Sequence, residues 1–142
     1  MNVTTPVVVD TDVISYLFKN HSLAQAYQAL LAGRPLAVSL ISLAEIEYWM
    51  DTRNWGNARR DLMHRFLTRF TPLMPGFETA VLWARIKSNC EKKGRPITFA
   101  DAWIAAAALQ LNVPLATHNA SDYVAIDGLK VLTAWQSFSG FK

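Results

Sequence analysis

Short apolar runs that read as strands, Val7–Val9, 36–40, 113–117 and 130–133, alternate along this chain with longer segments of helical spacing. Strands separated by helices cannot pair as hairpins, and they dictate a parallel sheet covered by helices on both faces. The expected architecture is α/β, with a central parallel sheet flanked by helices. Helices are predicted after Asp10, over 23–32, from Ser42 to about Met50, over 57–70, over 78–93 and over 99–111. Ser22 is placed to cap the second of these and Gly33 to end it. Residues 71–75 read as a short strand or extended link. Phe99–Leu111 has almost no polar face, so that helix belongs in the middle of the protein.

Four acids, Asp10, Glu45, Asp101 and Asp122, each stand within a few residues of a junction where a strand-like run gives way to a turn or a helix start. In an open parallel sheet the carboxyl ends of the strands share one edge, where such folds bind ligands. Two unit charges ~4 Å apart repel by on the order of 4 kcal/mol at an effective dielectric of about 20, so such a cluster needs protons or cations. Oxygen donors with no His or Cys at matching spacing favour Mg²⁺, with Mn²⁺ able to substitute, over zinc. The pattern points to a metal-dependent phosphodiesterase, with RNA as its substrate.

Each acid also has a structural reading. Asp12 is well placed as a helix N-cap, which leaves Asp10 as the better ligand. Ser42 and Glu45 fit the capping-box spacing, as Thr98 and Asp101 nearly do. Glu47 lies about 200° around a helix from Glu45 and cannot share its site. For Asp101, the helix dipole contributes roughly 0.3–1 kcal/mol, whereas burying an unpaired carboxylate costs several kcal/mol. A cation or a solvent-filled cleft is therefore expected beside it. In the polar run 117–123, Thr117 offers a hydroxyl at the strand end, and Asp122, then Asn119, are the expected ligands.

The 142 residues carry a net charge of +3, and 51% are hydrophobic, as suits one globular domain spanning 1–142. Setting the four acids aside leaves basic residues outnumbering the remaining acids two to one. An acid pocket on a basic body suits a polyanion. Arg53, Arg59, Arg60, Arg65 and Arg69 crowd one stretch that could track RNA phosphates, joined by Lys87, Lys92, Lys93 and Arg95. Tyr48, Trp49 and Trp55 could stack on bases or pack at a dimer contact. The N-terminus lacks a signal peptide, no apolar run is long enough to cross a bilayer, and Cys90 stands alone. A cytoplasmic protein with no membrane association is expected.

The ordered set Val7-Val8-Val9-Asp10-Thr11-Asp12, Ser42-Leu43-Ala44-Glu45, Phe99-Ala100-Asp101-Ala102-Trp103-Ile104-Ala105-Ala106 and Leu115-Ala116-Thr117-His118-Asn119-Ala120-Ser121-Asp122-Tyr123 resembles PIN-domain proteins, and most of all the VapC toxins. The resemblance spans almost the whole chain. It implies a three-layer α/β/α fold and a Mg²⁺- or Mn²⁺-dependent endoribonuclease acting as the toxin of a bacterial toxin–antitoxin pair. It further implies a homodimer and a cognate antitoxin that blocks the active site. By position, Asp10 and Asp101 match the family's principal metal ligands and Glu45 its second acid. Thr11, Thr117 and Asn119 support them. The chain departs from the pattern at Asn119, where some members carry Asp, and at His118, where Arg is frequent. Asp10-Thr11-Asp12-Val13 also resembles the opening of haloacid-dehalogenase phosphatases, whose first Asp is a nucleophile, but no Lys follows a strand where that chemistry needs one. A non-catalytic RNA-binding module is the other alternative.

Overall fold

The computed structural model describes residues 5–134. Five short strands, β1 (Val7–Val9), β2 (Leu36–Ser39), β3 (Thr71–Leu73), β4 (Leu115–Ala116) and β5 (Val131–Leu132), form one sheet in the order β3-β2-β1-β4-β5, and every pairing is parallel. The helices are α1 (Thr11–Phe18), α2 (Ala24–Leu31), α3 (Leu40–Thr52), α4 (Asn57–Leu67), α5 (Phe77–Lys92) and α6 (Phe99–Leu111), with a 3₁₀ turn at Ala120–Tyr123.

Strand alternation sorts the core into two layers. Val7, Val9 and Val38 face α1 to α4, against Val13, Ile14, Tyr27, Met50, Met63 and Phe70. Val8, Ala37 and Leu115 face α5 and α6, against Ile86, Cys90, Ile104, Ala105 and Ala108. The two layers account for the absence of a polar face on α6, whose residues Ala102 and Ile104–Ala108 are buried. Its ends emerge: Phe99 is 57% exposed and Leu111 44%. Cys90 is a buried packing residue on α5. No helix among the described residues is long and apolar enough to cross a membrane.

Three local expectations change. Ser22 does not cap α2. The helix begins at Ala24, and the imidazole of His21 instead accepts the Leu23 N–H at 3.1 Å. Ser42 is not a cap either, because β2 runs into α3 without a loop and Ser39 takes that position, its hydroxyl accepting the Ile41 N–H at 3.2 Å. That shift places Ser42 and Glu45 inside the helix, so the capping-box reading of the pair fails. Finally, the capping role expected of Asp12 falls to Asp10, whose Oδ1 accepts the Thr11 N–H at 2.8 Å.

The chain winds from β1 outward through β2 to β3, then returns to the other side of β1 with β4 and β5. The crevice beyond the carboxyl ends of β1 and β4 is thus the switch point of the sheet, where open α/β folds bind ligands. Asp10 directly follows β1 and Thr117 directly follows β4.

Candidate active site

Asp10 and Thr117 meet across that switch point, with the buried Thr117 hydroxyl donating to Asp10 Oδ2 at 2.7 Å. The same oxygen accepts from the hydroxyl of Tyr123 at 2.9 Å, and Tyr123 also lies 3.2 Å from Asp101 Oδ1. A phenol carries one proton, yet here it faces two carboxylates. Asp101 is brought to this position by the N-terminus of α6, where the Thr98 hydroxyl accepts its N–H at 3.1 Å.

Glu45 joins from α3. The Thr11 hydroxyl donates to Glu45 Oε1 at 2.7 Å and sits 2.8 Å from Ser42 Oγ, which ties α1 to α3 beside Asp10. Glu47 points elsewhere, to His64 Nε2 at 2.5 Å, as its helical offset requires. Asp122 is exposed on the 3₁₀ turn and, with Asp101, lines a cleft of about 330 Å³. Asp101 thus stands on an open cleft, as expected.

Asn119 does not point at the cleft. Its Nδ2 donates to Asp12 Oδ2 at 2.9 Å, and the His118 N–H donates to the same oxygen at 3.1 Å. Asp12 is therefore fixed by the loop after β4, beside Asp10. Asp12 and Tyr123 are the residues that sequence reasoning left out of the site. The signal for Asp12 was its place two residues beyond a strand-end acid; for Tyr123, a lone phenol closing a polar run.

The electrostatics follow from burial. Asp10 is raised above the ordinary carboxylate range chiefly by burial and further by Asp101, against the hydrogen bonds from Thr117, Tyr123 and Thr11. Burial and then the Asp10 charge push Asp12 up to about 7. Asp101 is raised by burial and by Asp122, and Tyr123 is driven far upward by burial and the two carboxylates. The ion pairs among the described residues, Arg60–Asp51, His64–Glu47, Lys87–Glu91 and Lys93–Asp127, include none of these acids. Among the described residues these acids thus stand together with no cation in ion-pair contact.

Two expectations follow for the metal-free protein. Folded Asp12 keeps its proton up to about pH 7, whereas the ordinary value is 3.8. The folded state binds more protons between those values, so stability is fullest below that window and falls as pH rises through it. Melting temperature measured with a chelator present should drop from about pH 4 to about pH 7, and Asp12→Asn should flatten the profile; a melting temperature that climbs across this range would contradict the assignment. Tyr123→Phe should cost about 1–3 kcal/mol in urea unfolding, since the buried Asp10 and the half-buried Asp101 lose a shared donor. An unchanged midpoint would show that the bridge contributes nothing.

The basic stretch is arranged differently. Arg60 is committed to the α3–α4 connection, donating to Asp51 at 2.9 Å and to the carbonyls of Trp55 and Met50. Arg53 stacks over Trp49, Arg59 over Trp55 and Arg69 over Phe66. Arg65 and Arg69 rim a groove with Leu17, Phe18, Leu62 and Phe66.

The PIN domain family's sequence pattern matches residues 7–129. The chain belongs to the PIN-domain family. Among curated relatives of this PIN domain, ribonuclease VapC1 of Haemophilus influenzae is 32% identical over 136 residues, 93% of this chain and 97% of the relative. The VapC ribonuclease Y4jK of Sinorhizobium fredii is 27% identical, with 92% and 98% covered. Among solved structures, VapBC2 from Rickettsia felis bound to a promoter DNA fragment superposes with a TM-score of 0.80 at 23% identity, covering 90% of this chain and 98% of that one. VapBC-1 from nontypeable H. influenzae gives 0.74 at 29% identity, covering 90% and 97%. This PIN domain is thus of the VapC type, and the haloacid-dehalogenase alternative falls away.

Proposed function

We propose that this PIN domain is a divalent-cation-dependent endoribonuclease, the toxin of a bacterial toxin–antitoxin pair. The observation that carries the reading is the Asp10–Tyr123–Asp101 bridge at the switch point of the sheet, in a chain whose curated relatives are named VapC ribonucleases.

The donor set suits a hard cation. Asp10 and Asp101 would hold Mg²⁺, with Mn²⁺ able to substitute. Among the described residues no three acid or imidazole groups converge on one point. Mg²⁺ does not require that, because it keeps several waters and takes one or two carboxylates plus substrate phosphate. When bound, such a cation supplies positive charge for the attacked phosphodiester and the leaving oxygen.

The protein's own groups do the rest. The Thr11 N–H and the Thr117 hydroxyl fix Asp10, and Tyr123 keeps Asp10 and Asp101 in register. Glu45, oriented by the Thr11 hydroxyl, accepts the proton of the attacking water, with Asp122, which lines the cleft beside Asp101, as the other acid able to do so. Asn119 and His118 hold Asp12 in the same negative field. Arg53, Arg59, Arg65 and Arg69 track RNA phosphates at the outer surface, while Arg60 braces the connection they stand on.

The partners are RNA, a second copy of the chain and a cognate antitoxin in the cytoplasm. An antitoxin segment presenting Arg or Lys can pair with the carboxylates and exclude the cation. Expression in a bacterial host without antitoxin should arrest growth and leave internally cut RNA. Asp10→Ala or Asp101→Ala should be tolerated. Equal toxicity of wild type and both variants would overturn the catalytic reading.

A further inference from the structure

We propose that Arg95 binds the RNA phosphate adjacent to the one being cleaved, an assignment that rests on the ribonuclease reading. The α5–α6 connection places it there. Gly94 closes α5 at φ 73, its N–H donating to the Glu91 carbonyl at 3.0 Å, and the Arg95 N–H turns back onto the Cys90 carbonyl at 2.9 Å. Pro96 follows and prevents the helix from continuing. Arg95 thereby becomes part of the wall of the cleft whose other residues include Thr98, Asp101, Ser121 and Asp122.

That cleft of about 330 Å³ is in the size range of small-ligand sites, roughly 300–1,000 Å³. Its lining includes one arginine, Arg95, held at the Ser121 carbonyl, and two acids, Asp101 and Asp122. A phosphodiester chain has the matching requirements: one phosphate bridged to the acids by a cation and its neighbour met directly by a fork of N–H donors.

The neighbouring cations show why Arg95 is the one available. Lys93 spans the same two loops, donating to Asp127 and to the Ala125 carbonyl, both at 2.7 Å. Lys87 donates to the Ile97 carbonyl at 2.6 Å and approaches Glu91. These two lysines staple the loops. The Arg95 guanidinium makes a single 3.2 Å contact with the Ser121 carbonyl and no ion pair with a described acid, so most of its donors and its whole charge remain for a ligand.

The test uses a short, labelled, mixed-sequence single-stranded RNA and full-length protein carrying Asp101→Asn to prevent cleavage. Adding Arg95→Gln should weaken binding about tenfold at low salt and reduce the slope of log affinity against log salt by about 0.7, the contribution of one single-strand phosphate. Arg95→Lys should keep the slope while losing the affinity that bidentate geometry provides. In the otherwise wild-type chain, Arg95→Gln should leave calorimetric Mg²⁺ affinity and melting temperature unchanged. RNA binding with an unaltered slope in Arg95→Gln, or a change confined to Mg²⁺ affinity or melting temperature, would overturn the assignment and leave the ribonuclease reading intact. Failure of the chain with Asp101 intact to cut RNA in Mg²⁺ would overturn the ribonuclease reading itself.

Discussion

Asp101→Asn is expected to slow RNA cleavage by about a thousandfold, since charge stabilisation of several kcal/mol is at stake and each 1.36 kcal/mol is about a factor of ten. The substitution removes half of the acid pair that Tyr123 bridges while keeping the side chain's shape and an acceptor for the phenol. Asp101 stands in the first turn of α6, capped independently through its backbone by Thr98, so the helix itself should be undisturbed. Single-turnover cleavage of a defined RNA, set beside a thermal melt of the same preparation, separates a chemical loss from a folding loss. A variant that folds and cleaves within tenfold of wild type would show that Asp101 does not hold the catalytic charge.

Millimolar Mg²⁺ is expected to stabilise the wild-type fold by about 2.7 kcal/mol once its concentration reaches roughly a hundred times the dissociation constant. Asp10→Asn should abolish that response. In the absence of metal the same variant should melt no lower than wild type, because it removes a buried like charge that raises Asp12 and is itself raised by Asp101. Its contacts can survive: an amide oxygen still caps α1, and the hydroxyls of Thr117 and Tyr123 can rotate to accept from the amide. Calorimetric titration alongside melting checks the pair. Equal Mg²⁺ stabilisation of wild type and Asp10→Asn would place the cation elsewhere.

Much of this molecule is legible in the sequence because its strands are short, β-branched and separated by segments of clear helical period. Val7–Val9 is apolar at every position, as a strand covered on both faces must be, and the smooth α6 announces a helix between layers. What local patterns cannot resolve is a choice between two equivalent candidates. Ser39 and Ser42 are both competent caps, as are Asp10 and Asp12, and the decision falls to the absence of a loop between β2 and α3 and to the hydrogen bonds of the loop after β4. Those bonds join residues far apart in sequence, such as Asn119 to Asp12 and Thr117 to Asp10, 107 positions apart in each case. The Tyr123 bridge is hidden for the same reason. A run of arginines also reads as one feature, yet folding divides it, with Arg60 turned inward to hold a loop, Arg53, Arg59 and Arg69 laid over aromatic rings and Arg65 on the rim of a groove.

The most direct measurement is cleavage of total RNA by purified wild-type protein, first with chelator and then with Mg²⁺ restored. The account predicts intact RNA with chelator and internal cuts on adding Mg²⁺, with Mn²⁺ substituting and Asp10→Asn inactive throughout. RNA cut equally well in chelator, or cut by Asp10→Asn at the wild-type rate, would contradict it.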